Sequence, residues 1–293
     1  MVDLPRRTLN GEPIDLEPIE REFFDGLKVG NGTYKTTSRF RLDDVNRVFV
    51  SLLGSDQARE LEVLDVAASS GVTSLRWLEL LRASGFTPHM TISDITAFAY
   101  LATPVPWFRV LVDHRNKPLE FEVCSRPVRG RIKKIDLLTG RVLLILAASV
   151  LYRCLGLISR TGVARGSDGL GPLVETATVK RLPLVSNDVR RHRDMSVTED
   201  DITAADLGQM TGMFDVIRAA NILQTVYFSE PIIRRGIAIL KRRLKGDGAW
   251  LIVCRTRDDG VNHASVFRLE DGRFVVKSRV GDGSEIEDLV LAT

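Results

Sequence analysis

The sequence predicts an α/β fold: a mostly parallel, doubly wound sheet with an antiparallel C-terminal edge and a lid or substrate subdomain inserted after its second strand. Three observations predict it. Apolar runs of buried-strand character, "ELEVLDVA", "HMTISDI", "MFDVIRAANIL" and "AWLIVCRT", are followed or separated by segments of helical periodicity. The last run leads into "HASVFRLEDGRFVVKSRV", where Asp271-Gly272 marks the turn of a hairpin. Between Asp94 and Asp206 lies far more chain than one βα crossover needs.

Each element has its own reason. Residues 1–58 read as a helical cap: an irregular start, then "LEPIEREFFDGL" and "LDDVNRVFVSLLG", the second with Leu42, Val45, Val48, Phe49 and Leu52 on one face. The core is expected over 59–98 and 196–293. In its first half "SLRWLELLRAS" is a helix closed by Gly85, and the second strand ends on Asp94. In its second half "DDITAADL" is expected to be a strand ending on Asp206, "SEPIIRRGIAILKRRLKGDG" a helix with a glycine-rich stop, and "IEDLVLA" a last strand. The insertion, 99–195, contains a hairpin-like "WFRVLVDHRNKPLEFEV", the apolar "GRVLLILAASVLYRCLGLISR" and a glycine-rich loop, "TGVARGSDGLGP".

With 293 residues and 44% hydrophobic side chains, the chain can bury a substantial core, which excludes disorder of the whole. The net charge of +3 is a small difference between 41 basic and 38 acidic residues, so bulk charge selects no partner. The three cysteines, Cys124, Cys154 and Cys254, form no CxxC pair. That argues against a disulfide framework or a zinc site and suits a reducing cytoplasm. His89, His114 and His192 have no metal-ligand spacing, and no metal is expected. The N-terminus has no apolar h-region and carries several acids, unlike a secretory signal.

"LEVLDVAASSGVTSLRWLEL" turns a strand into a helix through an acid and a run of very small residues. Such a turn leaves backbone N–H groups for a nucleoside-containing ligand. With the strands above, it resembles the class I S-adenosylmethionine-dependent methyltransferases, which are Rossmann-like. Their acid-x-Gly-x-Gly-x-Gly pattern is matched by Asp65, Ala67, Ser69 and Gly71, with Ala and Ser replacing two glycines. The resemblance covers roughly residues 59–95 and 199–291, and "RAANILQTVYF" is similar to a turn of chemotaxis-receptor methyltransferases. It implies S-adenosylmethionine as cofactor, held by Asp65, Ala67, Ser69 and Gly71, with Asp94 on the ribose hydroxyls. Asp206 would take the adenine amino group and Leu207 would back the ring.

Methyl transfer is an in-line displacement that needs orientation first and a general base for some acceptors. His263, just beyond the fifth core strand, is the candidate base; Asn221 and Arg218, at the end of the fourth, are the other candidate catalytic residues. Hydrogen bonding within a loop for His263, and a structural ion pair for Arg218, are the competing readings. From Arg126 to Arg160 the basic residues Arg126, Arg129, Arg131, Lys133, Lys134, Arg141, Arg153 and Arg160 face one acid, Asp136, and bracket the apolar run Val142–Tyr152. This suits either a buried lid helix with a basic rim or an element lying on a membrane surface, and it is too short for a confident span.

The positive insertion suggests O-methylation of an anionic acceptor: an acidic or phosphorylated glycan, or a lipid-linked intermediate. Nucleic acid is disfavoured because the basic cluster has no interleaved aromatics. Two rivals remain: a non-catalytic S-adenosylmethionine-binding or scaffold protein of the same fold, and a nicotinamide-dependent oxidoreductase, whose usual G-x-G-x-x-G is not supplied by "AASSGV". Oligomeric state is left open by the sequence.

Overall fold

The computed structural model describes residues 8–9, 12–13, 24, 38–54, 60–113, 118–129, 141–159, 179–204, 208 and 210–293. In chain order the strands are β1 Thr8–Leu9, β2 Glu12–Pro13, β3 Glu60–Val66, β4 Thr87–Asp94, β5 Phe98–Val105, β6 Phe108–Val112, β7 Pro118–Val123, β8 Arg126–Arg129, β9 Val179–Pro183, β10 Met195–Glu199, β11 Val216–Ala220, β12 Trp250–Thr256, β13 Asn262–Glu270 and β14 Arg273–Val280. The helices are α1 Asp43–Leu53, α2 Val72–Ala83, α3 Arg141–Ser159, α4 Asn187–Arg191, α5 Glu230–Arg243 and α6 Glu287–Leu291. The chain divides into two compact units, one formed by Met1–Thr36 with Phe98–Leu184 and the other by Thr37–Ala97 with Val185–Thr293.

The second unit is built on a seven-stranded sheet of order β10-β4-β3-β11-β12-β13-β14. The first five strands are parallel; β13 runs antiparallel to β12 and β14 antiparallel to β13. This is the Rossmann-like sheet expected, with its antiparallel edge. Parallel strands covered on both faces must be apolar on both, and β3 shows how. Leu61 and Val63 enter a core with Phe49 of α1 and Trp77, Leu78 and Leu81 of α2. Leu64 and Val66 face the other way, with Ile233, Ile237 and Leu240 of α5. Phe49 meets Trp77 and Trp250 edge-on, at 6.0 and 5.8 Å between ring centroids.

The first unit contains a fully antiparallel sheet of order β8-β7-β6-β5-β9. The β6–β7 pair is the hairpin read from "WFRVLVDHRNKPLEFEV". The apolar segment forms α3, which buries Ile145 and Ala148 against Tyr100, Phe108, Val110, Phe121 and Val128. Its other side is exposed at Leu143 (75%), Leu144, Leu146 and Val150. Among the described residues, no helix is long and apolar enough to cross a membrane.

Several boundaries differ from expectation. The helix α1 and residues 185–195 belong to the core unit, whereas the segment up to Thr36 groups with the insertion; α1 joins the core because Leu42, Val45 and Phe49 bury themselves in it. The third parallel strand is β10, ending on Glu199, and Ile202–Ala204 after it is turn and bend, so the described part of "DDITAADL" is not a strand. An Asx-type turn forms there instead, with Asp201 accepting from the Thr203 N–H and hydroxyl. "IEDLVLA" is the helix α6, not a strand: Ile286 and Val290, four apart, both enter the core. The expected helix "LEPIEREFFDGL", Phe24 apart, and the loop "TGVARGSDGLGP" lie outside the described residues.

Candidate functional site at the carboxyl edge of the parallel sheet

Strand order reverses between β3 and β11: the chain builds outward from β3 through β4 to β10, and from β11 through β12 on the other side. A crevice forms at such a switch point, beyond the carboxyl ends of the strands. On this edge Val66, Asp94, Glu199, Ala220 and Thr256 are the last strand residues, and Glu199 lies directly beside Asp94 in the β10–β4 register.

The connection from β3 to α2 is held in an unusual backbone state. Ala67, Ser69 and Gly71 all have positive φ, 57°, 59° and 78°. A left-handed conformation costs an ordinary L residue about 1–2 kcal/mol, and such strain persists only where surroundings impose it. Here the Ala68 N–H donates to the Ser93 carbonyl at 3.0 Å, the Ser69 N–H donates to Asp94 Oδ2 at 3.0 Å, and the Gly71 N–H closes onto the Ala68 carbonyl at 2.9 Å. Gly71 is doubly required. Besides its φ, a Cβ there would stand 3.0 Å from both Ile92 Cδ1 and Val189 Cγ2. These are the three positions where the family pattern has glycine, and the backbone does what glycine permits. Asp94 Oδ1 also accepts the Thr96 N–H at 2.9 Å, so the carboxylate joins the loop to the end of β4.

Asp65 has a different role from the one expected. It is 2% exposed and accepts from Arg218 Nε at 2.9 Å, Arg218 Nη2 at 2.5 Å and the Ser74 hydroxyl at 2.5 Å. Both oxygens are engaged inside the core, so Asp65 supports the loop from below instead of meeting a ligand. Arg218 is corrected with it. Its guanidinium is fully buried, donates Nη1 to Asn46 Oδ1 at 2.7 Å and lies 4.3 Å over the Trp77 ring. A side chain held on all sides by protein is a structural ion-pair partner and is out of reach as a catalytic group.

Asn221, just past β11, adopts φ 59°, which Asn tolerates better than most residues. Its Oδ1 accepts the Thr256 N–H at 2.7 Å; Thr256 Oγ1 donates to Asn262 Oδ1 at 2.8 Å, and Asn262 Nδ2 reaches Asp44 Oδ1 and the Arg41 carbonyl. The amide of Asn221 thus begins a chain that ties the ends of β11 and β12 to the start of α1. His263 lies opposite Arg255 near the same edge, 8% exposed. Its Nδ1 accepts the Asp282 N–H at 3.0 Å, which uses the ring's one basic lone pair and leaves Nε2 as a donor. The same nitrogen lies 3.3 Å from the Asp282 carboxylate, so it is engaged by the turn after β14.

Asp206 and Leu207 lie outside the described residues. The acid that closes the third strand is Glu199. Among the described residues, no group of three or more His, Cys, Asp or Glu side chains is placed to hold a metal ion. Two further side chains shape this edge. Burial pushes the Cys254 thiol up to about 12, which keeps it an inert apolar neighbour. Burial, then the nearby Arg218 charge, lowers the pKa of Arg41. Arg41 immediately precedes Leu42 and α1, and nothing in "FRLDDV" distinguishes it from a solvated arginine.

No protein-family model and no curated protein matches the chain. Solved structures that resemble it include an amino pentose methyltransferase of calicheamicin biosynthesis from Micromonospora echinaspora, with S-adenosylmethionine bound (14% identity, 87% of this chain and 82% of that one, TM-score 0.34). Others are the methyltransferase domain of a citrinin polyketide synthase (11%, 73% and 34%, 0.34) and a protein described as a Zn-dependent alcohol dehydrogenase from Rhodobacter sphaeroides (13%, 82% and 52%, 0.31). The matches to the latter two span about a third and about a half of those chains. Superpositions this loose carry no argument about chemistry. The fold assignment rests on strand order and direction.

Proposed function

We propose that the unit built on the seven-stranded sheet binds S-adenosylmethionine over the carboxyl ends of β3 and β4 and transfers its methyl group to a small acceptor. The observation that carries this reading is the Ala67–Gly71 loop, left-handed at three alternate positions and fastened to Asp94 through the Ser69 N–H. Such a backbone presents small residues where the methionine part of the cofactor must come close. Asp94 accepts the Ser69 and Thr96 N–H groups at the end of β4, and a carboxylate at that strand end is the kind of acceptor a ribose diol requires. Transfer to oxygen of an anionic acceptor, an acidic or phosphorylated glycan or a lipid-linked intermediate, is the finer form of the proposal.

Isothermal calorimetry with S-adenosylmethionine and S-adenosylhomocysteine tests it. The wild type binds both, and Asp94→Ala weakens binding by about 1–3 kcal/mol, the cost of losing a charge-assisted acceptor. Asp94→Asn, which keeps one acceptor oxygen, falls between the two. Absence of binding, or equal affinity in a folded Asp94→Ala protein, refutes the reading.

A non-catalytic binding protein of the same fold is the second reading, and one observation favours it. The side chains of Arg218, Asn221 and His263 are each committed to internal hydrogen bonds, which leaves orientation as the main means of catalysis. Release of labelled methyl groups to candidate acceptors separates an enzyme from a binder.

For the other unit, we propose that α3 rests on an anionic membrane surface, at the inner face of the membrane. Support comes from its exposed Leu143, Leu144, Leu146 and Val150 on a segment whose charged residues are nearly all basic. In flotation assays the protein should rise with phosphatidylglycerol vesicles and stay behind with phosphatidylcholine alone. Replacing the four apolar residues by Ser should abolish the shift; a shift that survives these substitutions, or none in the wild type, rejects the contact.

A further inference from the structure

Among the described residues, Arg41 is a half-buried cation with no hydrogen-bond or ion-pair partner for its guanidinium. Its Nε is shut off from solvent with no hydrogen-bond acceptor. The nearest charges make this costly. Arg218, a second guanidinium, bears on it, and the carboxylate between them, Asp65, already serves Arg218 and Ser74 with both oxygens. Two guanidinium groups therefore share one occupied carboxylate. Structural arginines are buried to pair, as Arg218 is; a half-buried guanidinium whose Nε is sealed off without an acceptor marks a place where something else supplies one.

Its place in the fold says where that acceptor comes from. The Arg41 carbonyl accepts from Asn262 Nδ2 at 2.6 Å. Asn262 opens β13 directly opposite Thr256, the last residue of β12. Arg41 thus sits at the carboxyl edge of the parallel strands, ahead of α1, where the order of this sheet calls for a ligand. We propose that Arg41 is the anion-recognition residue of this edge, its planar fork receiving a carboxylate or phosphate. This rests on the S-adenosylmethionine reading only for the choice of ligand. The anion is either the amino-acid carboxylate of that cofactor or an acidic group on the acceptor, and both are met by the same bidentate chemistry.

The test uses the full chain, wild type and Arg41→Ala, Arg41→Met and Arg41→Lys, the Met variant filling the stem's volume should Ala fail to fold. Calorimetry is run with S-adenosylhomocysteine and with methylthioadenosine, which lacks the carboxylate; melting temperature is followed with millimolar inorganic phosphate. If the cofactor supplies the anion, Arg41→Ala and Arg41→Met lose at least tenfold in affinity for S-adenosylhomocysteine and none for methylthioadenosine, with Arg41→Lys between. If the acceptor supplies it, affinity for both nucleosides is unchanged, while phosphate raises the melting temperature of the wild type and not of Arg41→Met. A wild type that binds neither nucleoside but keeps an Arg41-dependent phosphate shift sinks the methyltransferase reading and leaves the anion site standing. Variants that match the wild type with S-adenosylhomocysteine and with phosphate alike overturn the proposal.

Discussion

Asp65 and Arg218 face each other in register across β3 and β11, sealed beneath Trp77, Ser74 and Asn46. Desolvating both charges is expensive, and removing one alone strands the other in the core, so Arg218→Met should cost about 3–5 kcal/mol of stability. Urea unfolding measures it; a variant of wild-type stability would show that the pair is not the anchor inferred here. Asp65 was recognisable as the acid that closes a strand, but its partner was not. Arg218 lies 153 residues away in sequence, and only the parallel pairing of two strands reveals that the acid is consumed. His263 teaches the same lesson. Its position near the ligand edge follows from the strand count, whereas the use of its Nδ1 depends on a backbone N–H from the turn after β14, which no local pattern signals.

Among the elements, the β3–loop–α2 unit was the most legible, because apolar strand pattern, small residues and helical periodicity follow one another without a gap. The backbone of the loop adds what the letters could not: Ala67 and Ser69 take the left-handed state that a glycine would take freely. Gly71→Ala should therefore strain the helix start and push into Ile92 and Val189, which are already at 3.0 Å. The expected loss is about 1–3 kcal/mol in thermal unfolding, with cofactor affinity reduced alongside; unchanged stability would mean that the loop relaxes and is not held as described. Segments misread from sequence are short ones. "IEDLVLA" satisfies both a strand and a single helical turn or two, and only the burial of Ile286 and Val290 together decides. "DDITAADL" has strand-like letters, but its first residues are spent elsewhere: Asp200 accepts from both Nη atoms of Arg243, and Asp201 builds a turn. The strand forms instead at Met195–Glu199, where Ser196 and Thr198 alternate with apolar residues against β4.

At the scale of the whole molecule, a seven-stranded parallel-to-antiparallel sheet and a separate five-stranded antiparallel sheet share one chain. The first was predictable because periodicity changes from strand to helix in a repeating order. The extent of the second was not: its closing strand β9 lies far from β5 in sequence, and long-range antiparallel pairing leaves no trace in composition. The charge of the insertion was legible, and so was the apolar run of α3, yet which side of α3 is covered emerges only from the packing of Ile145 and Ala148. The features behind the proposed function lie at the switch point of the first sheet, where the strained loop, Asp94 and Arg41 are all supplied by the same compact unit. The most direct test is a crystal structure grown with S-adenosylhomocysteine. The amino-acid part of the ligand should lie against Ala67–Gly71 with the ribose hydroxyls on Asp94, and Asp65 should still be paired with Arg218; a nucleoside bound away from β3 and β4, or Asp94 turned from it, would contradict the account.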